Sequence, residues 1–191
     1  MTGVRILNGR FDPCSTVETI EAVTQAIYAG ERGVLCTVNV AILMMMRSDP
    51  RLQRFVTEVL YHQDPALRSR ILTILGESGL QNALQILETK LRDPDYSVRI
   101  TILKILDLKH FQNNAGTEML LNFLKDSDSS IVLQTIERLK ERDHPMIINN
   151  LTKLLASNVA EIKQAAHKAI AFVTRRKYMT GFDKMTEDAR K

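Results

Sequence analysis

Leu91-Arg-Asp-Pro-Asp-Tyr-Ser-Val-Arg99 decides the fold, because its second half recurs along the chain at a regular interval. Asp64-Pro-Ala-Leu67-Arg68, Asp95-Tyr-Ser-Val98-Arg99, Asp128-Ser-Ser-Ile131-Val132 and Val159-Ala-Glu-Ile162-Lys163 align with one another, 31 to 33 residues apart. A fixed period of this length marks a repeated supersecondary unit. After each stretch, apolar residues return at helical spacing, as at Ile71, Leu72 and Leu75 or at Ile102, Leu103 and Leu106. A partner helix is expected ahead of each, from Ala83 to Leu91, Met119 to Leu124 and Ile147 to Leu155. One hairpin cannot cover its own apolar side, so neighbours must stack and share a continuous core. The recurring Asp then needs no chemistry to explain it, since Asp or Ser before a helix caps its first backbone amides.

Within this array the spacing puts Leu103 in the core and Lys104 in water. Arg68 and Arg99 share one repeat position, where an ion pair or a carbonyl contact between adjacent helices is the expected outcome, with phosphate binding the lesser reading. Gly76 and Gly79 are expected to bracket a turn and have no phosphate-loop spacing. His62, His110, His144 and His167 fall in different repeats at no metal-ligand spacing, so surface or loop positions are expected and no metal or other cofactor is assigned.

The first sixty residues follow another grammar. Val4 to Leu7, bounded by Asn8-Gly9, reads as a strand. Ser15-Thr-Val-Glu18 fits a capping box, and apolar Val17, Ile20, Val23 and Ile27 continue a helix that Gly30 can end. Val34 to Val38 is a second apolar strand, and a helical stretch from about Val40 is broken by Asp49-Pro50. This βαβα order belongs to a parallel α/β sheet, where chemistry gathers beyond the carboxyl ends of strands, here at Thr37, Val38 and Asn39. Met44-Met45-Met46 lies beside Ile42 and Leu43 and is expected to pack in a core.

Two resemblances follow from these residues. Val4 to Leu7 with Phe11-Asp12, the helix through Glu18 to Ala26, Thr37-Val-Asn39, Arg47-Ser-Asp-Pro50 and Leu52 together resemble the N-terminal part of the WecG/TagA/CpsF glycosyltransferase family. That resemblance implies transfer of N-acetylmannosamine or a related sugar from a UDP donor to a lipid-linked acceptor, with Thr37 and Asn39 at the family's Thr-x-Asn site. The family's next feature is a strand ending in Asp-Gly, whose Asp is the proposed catalytic base, and no Asp-Gly occurs in this chain. Asp64 stands near the expected distance but precedes Pro65 at the start of a repeat, so it reads as a helix cap. The pattern L-x-D-x-D-x-x-V-R at Leu91 to Arg99 resembles the HEAT repeat, in its short bacterial form, which implies an extended binding surface.

Composition narrows the partners. Aromatic residues make up 5% of the chain and Trp is absent, which argues against nucleobase stacking and aromatic sugar platforms. The net charge of +4 is spread widely apart from Arg175-Arg176-Lys177, read as a solvated terminus, so no nucleic-acid partner is expected. Arg47, Asp49 and Arg51 interrupt the richest apolar run before it could span a bilayer, leaving peripheral membrane contact as the open membrane role. No charged start followed by an apolar run suggests a signal peptide, and Cys14 and Cys36 form no disulfide framework, so a cytoplasmic protein is expected. The expected architecture is mainly α: a HEAT-like α-solenoid of helical hairpins over residues 60–174, preceded by a short βαβα segment over 1–59 and followed by a basic tail over 175–191. The expected role is a noncatalytic scaffold that binds a protein partner through the repeat surface. The alternative is a sugar transferase using a UDP-sugar and needing a missing half from another chain.

Overall fold

The structure, a computed structural model, describes residue 56 and residues 59–77 and 83–188, with side chains described as far as Met179. The strands expected at Val4 to Leu7 and Val34 to Val38, the βαβα segment they define, and the methionine run lie outside the described residues. The described residues form helices joined by tight turns, with no strand among them. By backbone contacts the chain divides into two compact units, Met1–Ile71 and Leu72–Lys191.

In the first unit, Val59 and Leu60 are buried helical residues followed by a short turn. Helix α1, Pro65–Glu77, then begins with proline at its first position, where the missing N–H costs nothing. The Ala66 amide donates to Asp64 Oδ1 at 2.8 Å, so Asp64 caps the helix as its position predicts. Leu67 and Ile71 are buried, four residues apart on one face.

The second unit holds the end of α1 and the helices α2 (Ala83–Glu88), α3 (Tyr96–Ile105), α4 (Asn114–Phe123), α5 (Ser129–Lys140), α6 (Met146–Lys153) and α7 (Ala160–Asp188). Short 3-10 turns at Lys109–Phe111 and Leu154–Ala156 precede α4 and follow α6. First helices meet first helices and second helices meet second helices: α2 packs on α4, α3 on α5, and α5 on α7. Within the hairpins, α4 packs on α5 and α6 on α7. Leu87, Ile102, Leu103, Leu120, Ile136, Leu139, Ile147 and Leu151 are wholly enclosed by this arrangement, giving the shared core that the period requires. Ala166 and Ala169 are also fully buried, and their small side chains let α7 lie close against its neighbours.

Several sequence expectations need correction. The helix expected from Met119 starts five residues earlier, because Asn113 accepts the Gly116 amide at 2.9 Å and caps α4. Gly76 lies in the last turn of α1 and is buried, with a Cβ there standing 2.3 Å from Ile105 Cγ2, while Gly79, expected to bracket the following turn with it, lies outside the described residues. His144 keeps the expected loop position, before α6, but is buried there, with Nδ1 accepting the Met146 amide at 3.3 Å. Arg175-Arg176-Lys177 continues α7, and Arg176 is half-buried with its guanidinium donating to the Lys140 and Arg142 carbonyls.

Candidate interaction surface

The turns that open the second helices use one device four times. Two residues before each cap position, a side chain accepts the backbone amide of the cap residue itself. Asp64 N–H donates to His62 Nδ1 at 3.0 Å, Asp95 N–H to Asp93 Oδ1 at 3.0 Å, Asp128 N–H to Asp126 Oδ1 at 2.8 Å, and Val159 N–H to Ser157 Oγ at 3.2 Å. The cap residue then accepts from two residues on, as Asp95 does from Ser97 and Asp128 from Ser130, both at 2.8 Å. Val159 has no side-chain oxygen for this second step, and its turn relies on Ser157.

The arginines at the fifth position of the aligned stretch close these turns. Arg68 Nη1 donates to the His62 and Gln63 carbonyls at 2.7 and 2.9 Å. Arg99 Nη1 donates to the Asp93 and Pro94 carbonyls at 2.8 and 3.1 Å, while Nε and Nη2 reach Asp126 Oδ2 and Oδ1 at 2.8 and 3.2 Å. Arg99 therefore ties one turn to the next through a two-pronged ion pair whose side chains are 10% and 5% exposed. The expected ion pair is made at Arg99, whereas the carbonyls that Arg68 and Arg99 meet belong to their own turns rather than to an adjacent helix.

A second ladder closes the opposite helix ends, where the last carbonyls of a helix lack intrahelical donors. His110 Nε2 lies 2.8 Å from the Gly76 carbonyl at the end of α1. Arg142 donates through Nη1 to the Phe111 carbonyl at 3.0 Å and through Nη2 to the Leu106 carbonyl at the end of α3. Arg176 does the same for Lys140 and Arg142 after α5. Burial pushes the Arg142 guanidinium below its ordinary pKa, and the nearby Asp107 carboxylate opposes that shift. Asp107 itself pairs with Arg138 Nε at 3.0 Å. Sequence reasoning missed this ladder, although His110, Arg142 and Arg176 keep the repeat period, 32 and 34 residues apart.

The second helices carry a repeated set of exposed side chains. Ile100 on α3 and Leu133 on α5 occupy equivalent repeat positions and are partly exposed, and Gln164 takes that position on α7. Beside them runs an exposed row of alternating charge, Lys104, Glu137 and Lys168. Lys140 ion-pairs with Glu137 and stands 5.8 Å above the Phe172 ring, which links this row across α5 and α7. At the other end of the hairpins, a groove of about 590 Å³ lies between the turn after α2 and the turn after α4. Arg92 and Lys125 line it, both exposed and one repeat apart.

Thr37 and Asn39 lie outside the described residues. The described histidines serve turns and helix ends in three of four cases: His62 and His144 accept backbone amides, and His110 meets a carbonyl. His167 is an exposed residue of α7.

The profile of the glycosyl transferase WecG/TagA/CpsF family matches residues 4–77. That of the HEAT repeats matches residues 52–132 and 89–171, and the two matches overlap to span 52–171. No curated protein matches the chain. The crystal structure of an engineered protein is similar to it at 15% identity, over 85% of this chain and 94% of that one, with a TM-score of 0.42. Since the HEAT match takes in more than half of the sequence, and the helices it covers stack as repeated hairpins with recurring caps, the chain belongs to the HEAT-repeat family.

Proposed function

We propose that the chain is a noncatalytic scaffold that holds a protein partner on the outer row of its second helices. The observation that carries this reading is the periodic placement of Ile100 and Leu133, partly exposed apolar residues at equivalent positions, beside the charged row of Lys104, Glu137 and Lys168. Apolar anchors flanked by charges of both signs supply contact area together with register, the division of labour found in protein interfaces. The buried charged groups contribute to the scaffold instead: Arg99, Asp126 and Arg142 are committed to turns and helix ends. A cytoplasmic location fits this role. So does the expected division of the chain into an α/β segment over 1–59, repeats over 60–174 and a basic end over 175–191.

A second reading is favoured by the glycosyltransferase match at 4–77. Under it the chain supplies Thr37 and Asn39 to a sugar-transfer site that a partner chain completes. Asp64, the acid nearest the expected place of the family's catalytic base, is engaged in capping α1, which weighs against this reading for the chain alone.

The test compares the full chain with Ile100→Arg/Leu133→Arg. A partner protein identified by binding to the parent should be lost from the variant, while helicity and melting temperature stay close to those of the parent. Incubation with UDP-N-acetylmannosamine should release no UDP. Sugar-dependent UDP release that disappears in Thr37→Ala would overturn the scaffold reading and move the chain to the transferases.

A further inference from the structure

The groove between the turns after α2 and α4 differs from the rest of the repeat surface in how its charges are used. Its acids are largely consumed. Asp126 holds Arg99 through both carboxylate oxygens and also accepts the Asp128 amide, and Asp93 accepts the Asp95 amide. Its cations are not. Arg92 and Lys125 are exposed and make no side-chain hydrogen bond or ion pair among the described residues. Glu88, also exposed, is the groove's one carboxylate without such a bond. Two exposed cations thus stand beside one exposed carboxylate, around a floor where Arg99 pairs with Asp126 and Asp93 accepts a backbone amide.

The groove's size and lining narrow the occupant further. At about 590 Å³ this open groove is far larger than a single oxyanion requires. Leu91, partly exposed, and Pro94, exposed, give its wall apolar surface. Such a wall suits an extended chain with alternating charged and apolar groups better than it suits a free anion. Arg92 and Lys125 occupy one repeat position, 33 residues apart in sequence, so the geometry of the stack fixes their separation while each side chain keeps its reach.

We propose that this groove receives an acidic peptide segment of the partner, with carboxylates meeting Arg92 and Lys125 and an apolar residue seated against Leu91 and Pro94. The proposal rests on the scaffold reading and adds to it a second contact, at the turn end of the hairpins, that selects for charge.

A fluorescein-labelled peptide, Glu-Glu-Leu-Glu-Glu-Leu, titrated with the full chain tests it by fluorescence anisotropy. Binding should be saturable and should weaken as ionic strength rises. Removing two exposed ion pairs should weaken it about tenfold in Arg92→Ala/Lys125→Ala, and Glu88→Gln should tighten it. Because these side chains are exposed and hold nothing in the fold, the variants should melt as the parent does. No saturable binding, equal binding by the double variant, or equal binding of a Lys-Lys-Leu-Lys-Lys-Leu peptide would overturn the proposal. Ile100→Arg/Leu133→Arg separates the two readings. It should bind the acidic peptide as the parent does, and a loss of peptide binding there would overturn the groove assignment while leaving the scaffold reading intact.

Discussion

Arg142 offers the sharpest test of how the array is held together. Its guanidinium donates to the Phe111 and Leu106 carbonyls, and the residue is 8% exposed, so substitution by Ala leaves both acceptors without their charged donor. A hydrogen bond to a charged group contributes about 1.5 to 3 kcal/mol net. The desolvation that pushes the Arg142 pKa down is relieved when the guanidinium is removed, and it offsets part of the loss. The expected cost of Arg142→Ala is therefore about 2 to 4 kcal/mol, a large share of the roughly 5 to 15 kcal/mol that holds an ordinary domain together. Arg142→Lys keeps the charge but replaces a rigid fork with a single ammonium, so it should recover only part of this, leaving a loss of about 1 to 2 kcal/mol. Urea titration of the full chain, followed by helical circular dichroism, reads the change as a shifted midpoint at unchanged slope. A loss below about 0.5 kcal/mol for Arg142→Ala, or full recovery by Lys, would refute the argument that the fork satisfies otherwise orphaned carbonyls.

Two further stability predictions follow from burial and space. Leu103 is fully enclosed while adjacent Lys104 is exposed, so Leu103→Ala should cost about 2 to 5 kcal/mol and Lys104→Ala about half a kcal/mol or less. Equal losses in the same denaturation assay would show that the assigned helix phase is wrong. At Gly116 a Cβ would stand 2.0 Å from the Phe111 carbonyl oxygen, a backbone atom, so Gly116→Ala should lower the melting temperature despite alanine's better helix propensity. A rise in melting temperature would oppose that view. The same carbonyl is the acceptor of Arg142, so Gly116→Ala and Arg142→Ala should be non-additive by at least about 0.5 kcal/mol in a double-mutant cycle.

The repeat was legible in sequence because its signals are local and redundant. Asp95 and Asp128 sit where a helix start needs an acceptor, and Leu103 beside Lys104 marks the helix phase, so each position could be read against its neighbours. His110, Arg142 and Arg176 could not be read that way. Their partners lie 34, 36 and 36 residues away, at Gly76, Leu106 and Lys140, and in their own segments they look like ordinary solvated polar residues. Only their common period could have exposed them. The site implied by family resemblance, Thr37 and Asn39, depends on elements outside the described residues. This division also changes how the chain's charge should be read. A formal excess of +4 counts Arg99, Arg142 and Arg176 as though they could attract a partner, yet all three donate to backbone carbonyls, and Arg99 also to Asp126, within the fold. Arg92 and Lys125 in the groove and Lys104 and Lys168 on the second helices have no such duties among the described residues. On the proposed scaffold reading these positions, set by the repeat period, and not the net charge, fix where acidic groups on a partner would lie.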